Sequence, residues 1–509
     1  MDASEQLQQD VREGRIDVDR LVDVIVTLQR QLEATQRQLE AAKLENEQLK
    51  KKLDGPTAKT DEPFSVRAEE KRQEKHGQKK KPKLSKKGRR GRLSNLDKLQ
   101  LAERTEKCFP AGVPAEDCRL SHTRPVWCLE NGRAVLIAYA IYRGPGNQYG
   151  QIPGVLGRSE FSLEIMVQIA YFVYVIGLSF DKVCLILQFL QNLRLGKTQV
   201  DSLLRQLARH WQQEFDVLCT LLANSLVVHT DETSWSINSA WAFLSEKARL
   251  LFFGVHKDAD TLEKILDPRT FLGLVISDDA AVYANFTQAQ KCWAHLLRKA
   301  IKLTLQDPDN ATYRDFTDRL LDIYRSACRV QRDGRLGDAG RARRVVALEN
   351  EVIDLCSPLW VLGQPPLAEG PENDFRLLVN EVMGLEFAKQ LFTFVTTAAA
   401  EQPNGARPPV AGTNNESERT LRGTAAARAA GRGNKTIVGA RRQTILVSVL
   451  ESLRLYLATF TLTSIIAEIE RWRQAGQSCF RELLAKLHLA PPNPSTPTVL
   501  DKVLPLPDG

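Results

Sequence analysis

The first part of the chain carries a hydrophobic repeat with the period of a coiled coil. Between residues 18 and 53, apolar side chains recur every three or four positions, and glutamate, glutamine, arginine and lysine fill most places between them. One seam runs through Ile25 and Leu32 and later contains Asn46, a polar seam residue of the kind that fixes dimer register. We therefore predict a coiled coil over residues 1–54 that makes the protein a homodimer or a higher oligomer. A single amphipathic helix packed on the body is the alternative.

The central part of the chain alternates between helical spacing and short apolar runs. Residues 159–222 have the spacing of amphipathic helices, and the runs that follow have the length of buried strands. A helix near 261–266 separates the third run from the fourth, which predicts a β-β-β-α-β order. Helical spacing returns over residues 306–411, where we predict an all-helical insertion. The predicted strands cover residues 226–230, 240–244, 250–255 and 272–276.

The same spacing predicts several helix limits. The apolar stretch 165–180 is short for a bilayer and is interrupted by Gln168, so we predict one buried core helix there. Helices over 180–193 and 197–210 flank a glycine-containing turn, which is the layout of a helix-turn-helix or of a simple packed pair. Later helices lead to a tail with repeated prolines, which we predict to be extended from residue 490 onward.

Two of the strand-like runs end in an aspartate. Asp231 follows Leu226–Val228 within the segment His229–Trp235, and Asp278 ends the run from Leu272. A carboxylate at the C-terminal end of a buried strand emerges at the sheet edge, where α/β proteins place their sites. Taken singly, such an aspartate is more often a turn former or a helix cap. Together with a helical glutamate, however, two strand-end aspartates can hold two divalent cations for phosphoryl transfer.

The residues around these acids form three specific motifs. They are His-Thr-Asp-Glu-Thr-Ser-Trp around Asp231, Cys-Trp-Ala-His at 292–295 after Asp278, and Asn-Asn-x-x-Glu-Arg-x-Leu-Arg around Glu418. In this order, over about residues 95–460, the chain resembles the transposases of insertion-sequence family sixty-six. These are the TnpC-type members of the DDE superfamily, and the resemblance covers most of the chain.

The resemblance implies a fold, an activity and a set of partners. The fold is an α/β ribonuclease-H-like catalytic core with an all-helical insertion, a helical DNA-binding region and an N-terminal coiled coil. Asp231, Asp278 and Glu418 are implied as the catalytic acids and as ligands of two Mg²⁺ or Mn²⁺ ions, whereas Zn²⁺ is not expected. The implied enzyme nicks transposon ends and joins them to target DNA, with accessory proteins of the same element as further candidate partners.

Two other functions fit the same residues. One is a catalytically silent, multimerising DNA-binding protein derived from a transposase, and the other is a ribonuclease-H-like nuclease without strand transfer. The three intact acids speak against the first. The coiled coil and the basic linker speak against the second, because a simple nuclease does not need to hold two DNA ends together.

The resemblance also selects between neighbouring acids. Asp278 and Asp279 would face opposite sides of a strand. The family sets a tyrosine five residues after its second catalytic aspartate, and Tyr283 therefore selects Asp278. It places its glutamate after a two-residue spacer that follows the asparagine pair, directly before an arginine, which selects Glu418 over Glu416.

Four residues are predicted to support this site. Cys292 and His295 form a C-x-x-H signature seen in several DDE families, where His295 either positions a DNA strand or is a core histidine. Arg419 and Arg422 follow the glutamate. On a helix Arg422 shares a face with Glu418, so it orients the carboxylate, contacts a phosphate or makes a solvated ion pair.

Basic residues elsewhere are predicted to contact DNA. Residues 55–98 carry blocks of like charge with glycine and proline, so we predict a disordered linker that binds phosphates without sequence preference. A linker that is merely solvated is the alternative. The predicted DNA contacts are Lys79, Lys80, Lys81, Lys86, Lys87, Arg89, Arg90, Arg92, Lys197, Gln199, Arg205, Arg432 and Lys435.

Composition limits the remaining classes of protein. The 509 residues are 43% hydrophobic, enough for several domains with large cores, and the net charge of +8 permits nucleic-acid binding. Nine scattered cysteines and the lack of a signal-peptide pattern favour a cytoplasmic protein, which we expect to be nucleoid-associated and bacterial, without a membrane partner. Cys108, Cys118, His122 and Cys128 are zinc-capable, but they lack close cysteine pairs, so we favour buried side chains over a metal site.

The predicted domain organisation follows from these patterns. The segments are a coiled coil (1–54), a basic linker (55–98), a small module with a degenerate zinc-binding pattern (99–158), a helical region (159–222), the first part of the catalytic core (223–305), a helical insertion (306–411), the second part of the core (412–460), and C-terminal helices with a proline-rich tail (461–509).

Overall fold

The computed structural model describes residues 93–360 and 369–506, together with the isolated positions 14, 26, 36 and 40. The predicted coiled coil and the lysine and arginine blocks of the linker lie outside these described residues. No helix in the described part is both long and apolar enough to cross a membrane.

A three-stranded sheet lies near the start of the described chain. Its strands are β1 (Arg104–Cys108), β2 (Arg119–Glu130) and β3 (Arg133–Arg143), preceded by the short helix α1 (Asn95–Gln100). β3 is central, antiparallel to β2 and parallel to β1. The β2–β3 hairpin turns at Asn131 and Gly132, which both have the positive φ that a tight hairpin turn requires.

The zinc-capable residues of this region do not come together. Cys108 is buried in the core of the small sheet, and Cys128 lies 3.6 Å from the hydroxyl of Tyr139. Cys118 instead donates to the carbonyl of Pro114. None of these residues belongs to a potential metal-ligand cluster in the described part of the chain.

The apolar stretch after the small sheet forms a shorter helix than predicted. Helix α2 (Leu163–Ala170) is buried on most sides, in keeping with its almost wholly apolar sequence. A π-helical turn follows at Tyr171–Val175, and Gly177 then takes a φ of 76° that ends the helical path. The prediction of one helix over 165–180 is therefore wrong, because glycine lets the chain turn before Phe180.

The next two helices pack against each other, and the second is longer than predicted. Helix α3 (Phe180–Gln191) lies close to its predicted limits, and helix α4 (Lys197–Ala223) follows after a short turn. The predicted end near His210 is wrong, because the buried stripe of α4 continues through Phe215 and Leu222.

A five-stranded sheet follows α4, and four of its strands overlap the predicted apolar runs, whereas the strand at Ala289–Lys291 was not predicted. The five strands are β4 (Val227–Ser234), β5 (Ser239–Ser245), β6 (Arg249–Val255), β7 (Leu274–Ser277) and β8 (Ala289–Lys291), with helix α5 (Ala259–Ile265) between β6 and β7. The spatial order is β6-β5-β4-β7-β8, with β5 antiparallel to β4 and β6, and with β7 parallel to β4 and β8. The chain is thus a mixed α/β protein, and the ribonuclease-H-like name for the core stays a prediction.

Helices fill the long interval between the second and third acids. They are α6 (Trp293–Gln306), α7 (Ala311–Arg332), α8 (Asp338–Cys356), α9 (Pro371–Phe387) and α10 (Thr393–Thr396). Their apolar faces form a core of their own, centred on residues such as Phe316, Val379 and Phe394. This core meets the sheet through Ile276 and Trp293, so the helical segment is anchored beside the end of β7.

Five helices complete the described chain. They are α11 (Asn415–Ala429), α12 (Ile437–Tyr456), α13 (Leu462–Ala475), α14 (Cys479–Lys486) and α15 (Val499–Val503). The prediction of an extended tail from residue 490 is wrong in part, because α15 buries Leu500 and Val503 in the main core. Thr498 and Asp501 form a capping box that begins this helix within the proline-rich segment.

Helix α12 covers the edge strand of the large sheet. Three hydroxyl side chains spaced four residues apart on α12 accept the outward N–H groups of β6. The pairs are Arg249 N with Ser452 Oγ at 2.9 Å, Leu251 N with Ser448 Oγ at 2.9 Å, and Phe253 N with Thr444 Oγ1 at 3.0 Å. The edge is therefore closed to strand addition, and the aspartates belong to the inner strand β4 and to the end of its neighbour β7.

Candidate active site

The two aspartates lie side by side on neighbouring parallel segments: Asp231 lies within β4 and not at the strand end that the apolar run predicts, and Asp278 directly follows β7. The pairing of β4 with β7 places Val227 beside Leu274 and His229 beside Ile276. Continuing this register by two residues brings Asp231 level with Asp278, just beyond the end of β7. The expectation that Asp278 and Asp279 alternate across a strand is wrong, because the strand ends before them at a bend.

Asp231 is the acid whose pKa is affected by all the neighbouring carboxylates of the site, namely Glu232, Asp278 and Glu418. Burial raises its pKa to about 7, and the carboxylate of Glu232 adds to the rise. Asp278 and Glu418 raise it further, so all three predicted acids act on one another. The Glu232 N–H donates to Asp231 Oδ1 at 3.0 Å and offsets part of this effect. Crowded carboxylates of this kind bind divalent cations because the cation removes their repulsion.

Glu418 approaches the same edge from helix α11. Arg298 on α6 holds its carboxylate through two contacts, Nη2 to Oε1 at 2.9 Å and Nη1 to Oε2 at 3.3 Å. The Arg298 guanidinium lowers the pKa of Glu418, and His295 and Arg422 act in the same direction. His295 Nε2 lies 3.7 Å from Glu418 Oε1. The ligand-type residues Cys292, His295 and Glu418 thus meet beside the aspartates.

Asn414 fixes the position of helix α11 relative to the sheet. This residue is fully buried, and its Nδ2 donates to the carbonyl of Thr230 at 2.8 Å. Its backbone N–H donates to Cys292 Sγ at 3.1 Å. One residue therefore ties the start of α11 to the residue before Asp231 through its side chain and to the start of α6 through its backbone. The sequence motif pointed to the asparagine pair but not to this bridging role.

The two neighbouring acids that the sequence analysis rejected point to other partners. Asp279 lies 3.7 Å from Lys291 Nζ, and its side chain is 44% exposed. Glu416 pairs with Arg249 at the start of β6. Neither acid contributes to the raised pKa of Asp231, so both are suitable matched controls.

A second network, which sequence reasoning did not find, lies directly beside Asp231. The Glu232 side chain is only 2% exposed and accepts a hydrogen bond from the hydroxyl of Tyr283. It also binds Lys257 Nζ at 2.7 Å, and Lys257 remains 58% exposed. The pKa of Lys257 is raised by Glu232 and, more weakly, by Asp278 and Asp231. A fixed ammonium group therefore faces the two aspartates from the rim.

Comparison with known proteins finds one family that is similar to the middle of the chain. The family model described as "Transposase IS66 family" matches residues 158–364. No curated protein matches the chain. The matched segment contains Asp231 and Asp278 but ends before Glu418.

The match supports an IS66-family transposase. Such a protein acts on DNA in transposition and recombination, and the DDE group to which it belongs generally uses a divalent metal. In this chain, the assignment of Glu418 rests on its motif and on its position beside the aspartates and not on the family match.

The remaining predicted site residues lie away from the three acids or bind elsewhere. Arg419 Nε donates to the carbonyl of Asn415 at 3.2 Å. Arg432 donates to the carbonyl of Gly177. Arg419, Arg432 and Lys435 line one cleft of about 860 Å³ between α11, α12 and the turn before α3. This cleft runs along α11 and is partly basic.

The predicted recognition residues of α4 are engaged within the protein. Lys197 pairs with Asp181 at 2.8 Å, and Arg205 pairs with Asp201 at 2.8 Å. Gln199 accepts the Gly196 N–H at 2.9 Å and caps its own helix. Lys197 and Arg205 are both more than half exposed, so their role toward DNA stays a prediction.

Proposed function

We propose that this transposase cleaves DNA at the ends of its element and joins the freed 3′ ends to target DNA, with Asp231, Asp278 and Glu418 as the metal-binding acids. The observation that carries the proposal is the convergence of two aspartates on adjacent parallel strands with a glutamate from α11. Their mutual effect on the pKa of Asp231 supports a site built for cations. We further propose that the five-stranded core is ribonuclease-H-like.

The donor set fits Mg²⁺ or Mn²⁺, because both ions prefer carboxylate oxygens. Asp231 and Asp278 would hold the ions from the sheet, and Glu418 would hold them from the helix. When bound, such ions supply an activated nucleophile and neutralise charge at the leaving oxygen. The raised pKa of Asp231 supports this fit, since a buried carboxyl beside other acids is stabilised by a cation.

The protein's own residues would position the DNA. Lys257 is held at the rim by Glu232 and faces Asp231 and Asp278, where its ammonium group would contact a phosphate next to the scissile bond. Arg298 would contact a second phosphate when its pairing with Glu418 loosens. Because Lys257 is already held by Glu232, it would add charge neutralisation with less reorganisation than a free side chain needs.

Matched acids test the proposal. Purified full-length protein is incubated with Mg²⁺ and a duplex that carries the DNA flanking its gene, and nicked and joined products are separated on gels. Changing Asp231, Asp278 or Glu418 to Ala should reduce nicking to background while DNA binding survives. Changing Asp279 or Glu416 should cost far less, because those side chains bind Lys291 and Arg249.

The products distinguish the rival functions. Nicking with joining supports a transposase, and nicking without joining on any target supports a nuclease. Binding without nicking in Mg²⁺ or Mn²⁺ supports the silent DNA-binding protein. Equal loss of nicking in the Asp278→Ala and Asp279→Ala variants would contradict the assignment of Asp278.

A further inference from the structure

A second group of ligand-type side chains borders the acidic site. Cys292, His295 and Glu418 each offer one ligand atom, and these atoms lie within 4.8 Å of one another. Across residues 93–360 and 369–506, this is the one group of at least three cysteine, histidine or acidic side chains close enough to share a metal. Its chemistry differs from that of the aspartates, because it contains a sulfur and an imidazole.

The fold builds this group from two elements. Cys292 caps the start of α6, and His295 follows one helical turn later on the same face. Glu418 comes from α11, which Asn414 ties to the cysteine sulfur. The three ligand positions are therefore set by backbone contacts and do not depend on flexible loops.

The cysteine is buried but its sulfur sits among backbone donors. Burial raises the pKa of the Cys292 thiol, and the N–H groups of Asn414, His295 and Ala294 act in the opposite direction. Such donors stabilise a thiolate, which is the form that binds metals.

His295 shows the clearest sign of a missing partner. Its Nδ1 atom is buried and has no hydrogen-bond partner among the described residues. A buried ring nitrogen without a partner is unusual and calls for a ligand, an ion or a water. A cation between His295, Cys292 and Glu418 would satisfy this group of ligands.

We propose that Cys292, His295 and Glu418 bind a thiophilic divalent cation of the Zn²⁺ class, and that this cation inhibits DNA cleavage by occupying Glu418. Thiolate, imidazole and carboxylate are the ligands of zinc sites, whereas Mg²⁺ avoids sulfur. The cation acts as an inhibitor, so the proposal does not add Zn²⁺ as a cofactor. Only the inhibition rests on the proposed function; the binding site stands without it.

Binding of this cation requires Glu418 to leave Arg298. The carboxylate already lies between Arg298 and His295, at 2.9 Å and 3.7 Å respectively. A small shift toward the histidine would therefore exchange the arginine for the cation. A Glu418 carboxylate held in this way is withdrawn from the ions at Asp231 and Asp278.

Cobalt spectroscopy tests the binding site directly. Co²⁺ titrated into the full-length protein should give a near-ultraviolet sulfur-to-metal band that Zn²⁺ removes. The Cys292→Ser variant should lack this band, and the His295→Ala variant should bind Co²⁺ at least about 10-fold more weakly. The Cys184→Ser variant, which changes a partly buried cysteine on α3, should behave like wild type. The absence of the band in wild type, or its persistence in Cys292→Ser, would overturn the site.

Inhibition is measured separately. Each variant's nicking rate at fixed Mg²⁺ is followed against Zn²⁺ and scaled to its own zinc-free rate. Half-inhibition of Cys292→Ser should need at least about 10-fold more Zn²⁺ than that of wild type. Equal inhibition would overturn the inhibitory role. The Asp278→Asn variant should lose nicking but keep the cobalt band. If the wild-type protein shows the cobalt band and does not nick DNA, the proposed function is overturned and the cysteine-containing metal site is not.

Discussion

The two halves of the acidic site differ in the direction in which their surroundings shift a carboxyl pKa. In the sheet half, made of Asp231 and Asp278, burial and neighbouring carboxylates raise the pKa of Asp231 to about 7. In the helix half, made of Glu418, the Arg298 guanidinium lowers the pKa of the carboxyl. In the sheet half, neighbouring carboxylates therefore repel one another. In the helix half, the carboxylate is already paired with the positively charged Arg298.

The difference indicates how the work is divided between them. Neither aspartate of the sheet half has an ion pair within the described residues. Two neighbouring ammonium groups are engaged elsewhere, since Lys257 is bound to Glu232 and Lys291 donates to the backbone carbonyl of Asp278. Divalent ions would thus be drawn first to the sheet half. Glu418 would bind these ions only after giving up its ion pair with Arg298. DNA or another cation that breaks this ion pair would therefore change the site through the helix half.

The largest expected effect is a difference in metal affinity between the halves. Asp231→Asn or Asp278→Asn should weaken Mn²⁺ binding by at least about 100-fold, because each removes a carboxylate that has no ion-pair partner among the described residues. Glu418→Gln should weaken it by only about 10-fold, because that carboxylate is shared with Arg298. Paramagnetic resonance of free Mn²⁺ measures both values. An equal loss from all three variants would contradict the division.

The second effect is a pH dependence that belongs to the sheet half. A carboxyl with a pKa of about 7 keeps its proton below that pH, and a cation must displace the proton to bind. Affinity for Mg²⁺ should therefore rise by up to about 10-fold per pH unit as the pH approaches 7 from below, and then level off. The Asp231→Asn variant should lack this rise. Calorimetric titration with Mg²⁺ at several pH values in this range measures the dependence. The same rise in the Asp231→Asn variant would show that a group other than Asp231 releases the proton.

The smallest expected effect concerns Arg298, the positively charged side chain of the helix half. Removing Arg298 frees Glu418, so Arg298→Gln should tighten Mg²⁺ binding by about twofold, the modest value expected for a half-exposed ion pair. The matched control is Lys299→Gln, because Lys299 pairs with Glu381 on α9. Weaker binding in Arg298→Gln alone would show that the arginine positions the glutamate for the ion and does not compete with it.

The sequence predicted the sheet half better than the helix half. Buried strands such as β4 and β7 have local apolar patterns, and each run ends in its aspartate, so their positions were predictable. The partner of Glu418 was not, because Arg298 is 120 residues away and carries no local signal. The position of Lys257 was not predictable either, because it depends on the ion pair with Glu232. Nothing in the sequence pattern indicates that Glu232 is buried.

The errors in the fold have the same origin. A turn at Gly177 and a helix within the proline-rich tail depend on what the chain packs against. The tyrosine used to select Asp278 binds Glu232 instead of the aspartate. The residue was informative because it belongs to the family motif, while its physical contact lies one residue beyond Asp231.

The central claim is that three distant segments meet at one binding site for divalent cations. Fe²⁺ bound in place of Mg²⁺ reduces added hydrogen peroxide to hydroxide and a hydroxyl radical, which cuts the nearby backbone, and added ascorbate returns the resulting Fe³⁺ to Fe²⁺. A Cys292→Ser protein is used so that the sulfur-containing group does not bind the iron. The account predicts cuts near Asp231, Asp278 and Glu418 that disappear together when Mg²⁺ is added or when Asp278 is changed to Asn. Cuts confined to one of these segments, or cuts that Mg²⁺ does not suppress, would contradict it.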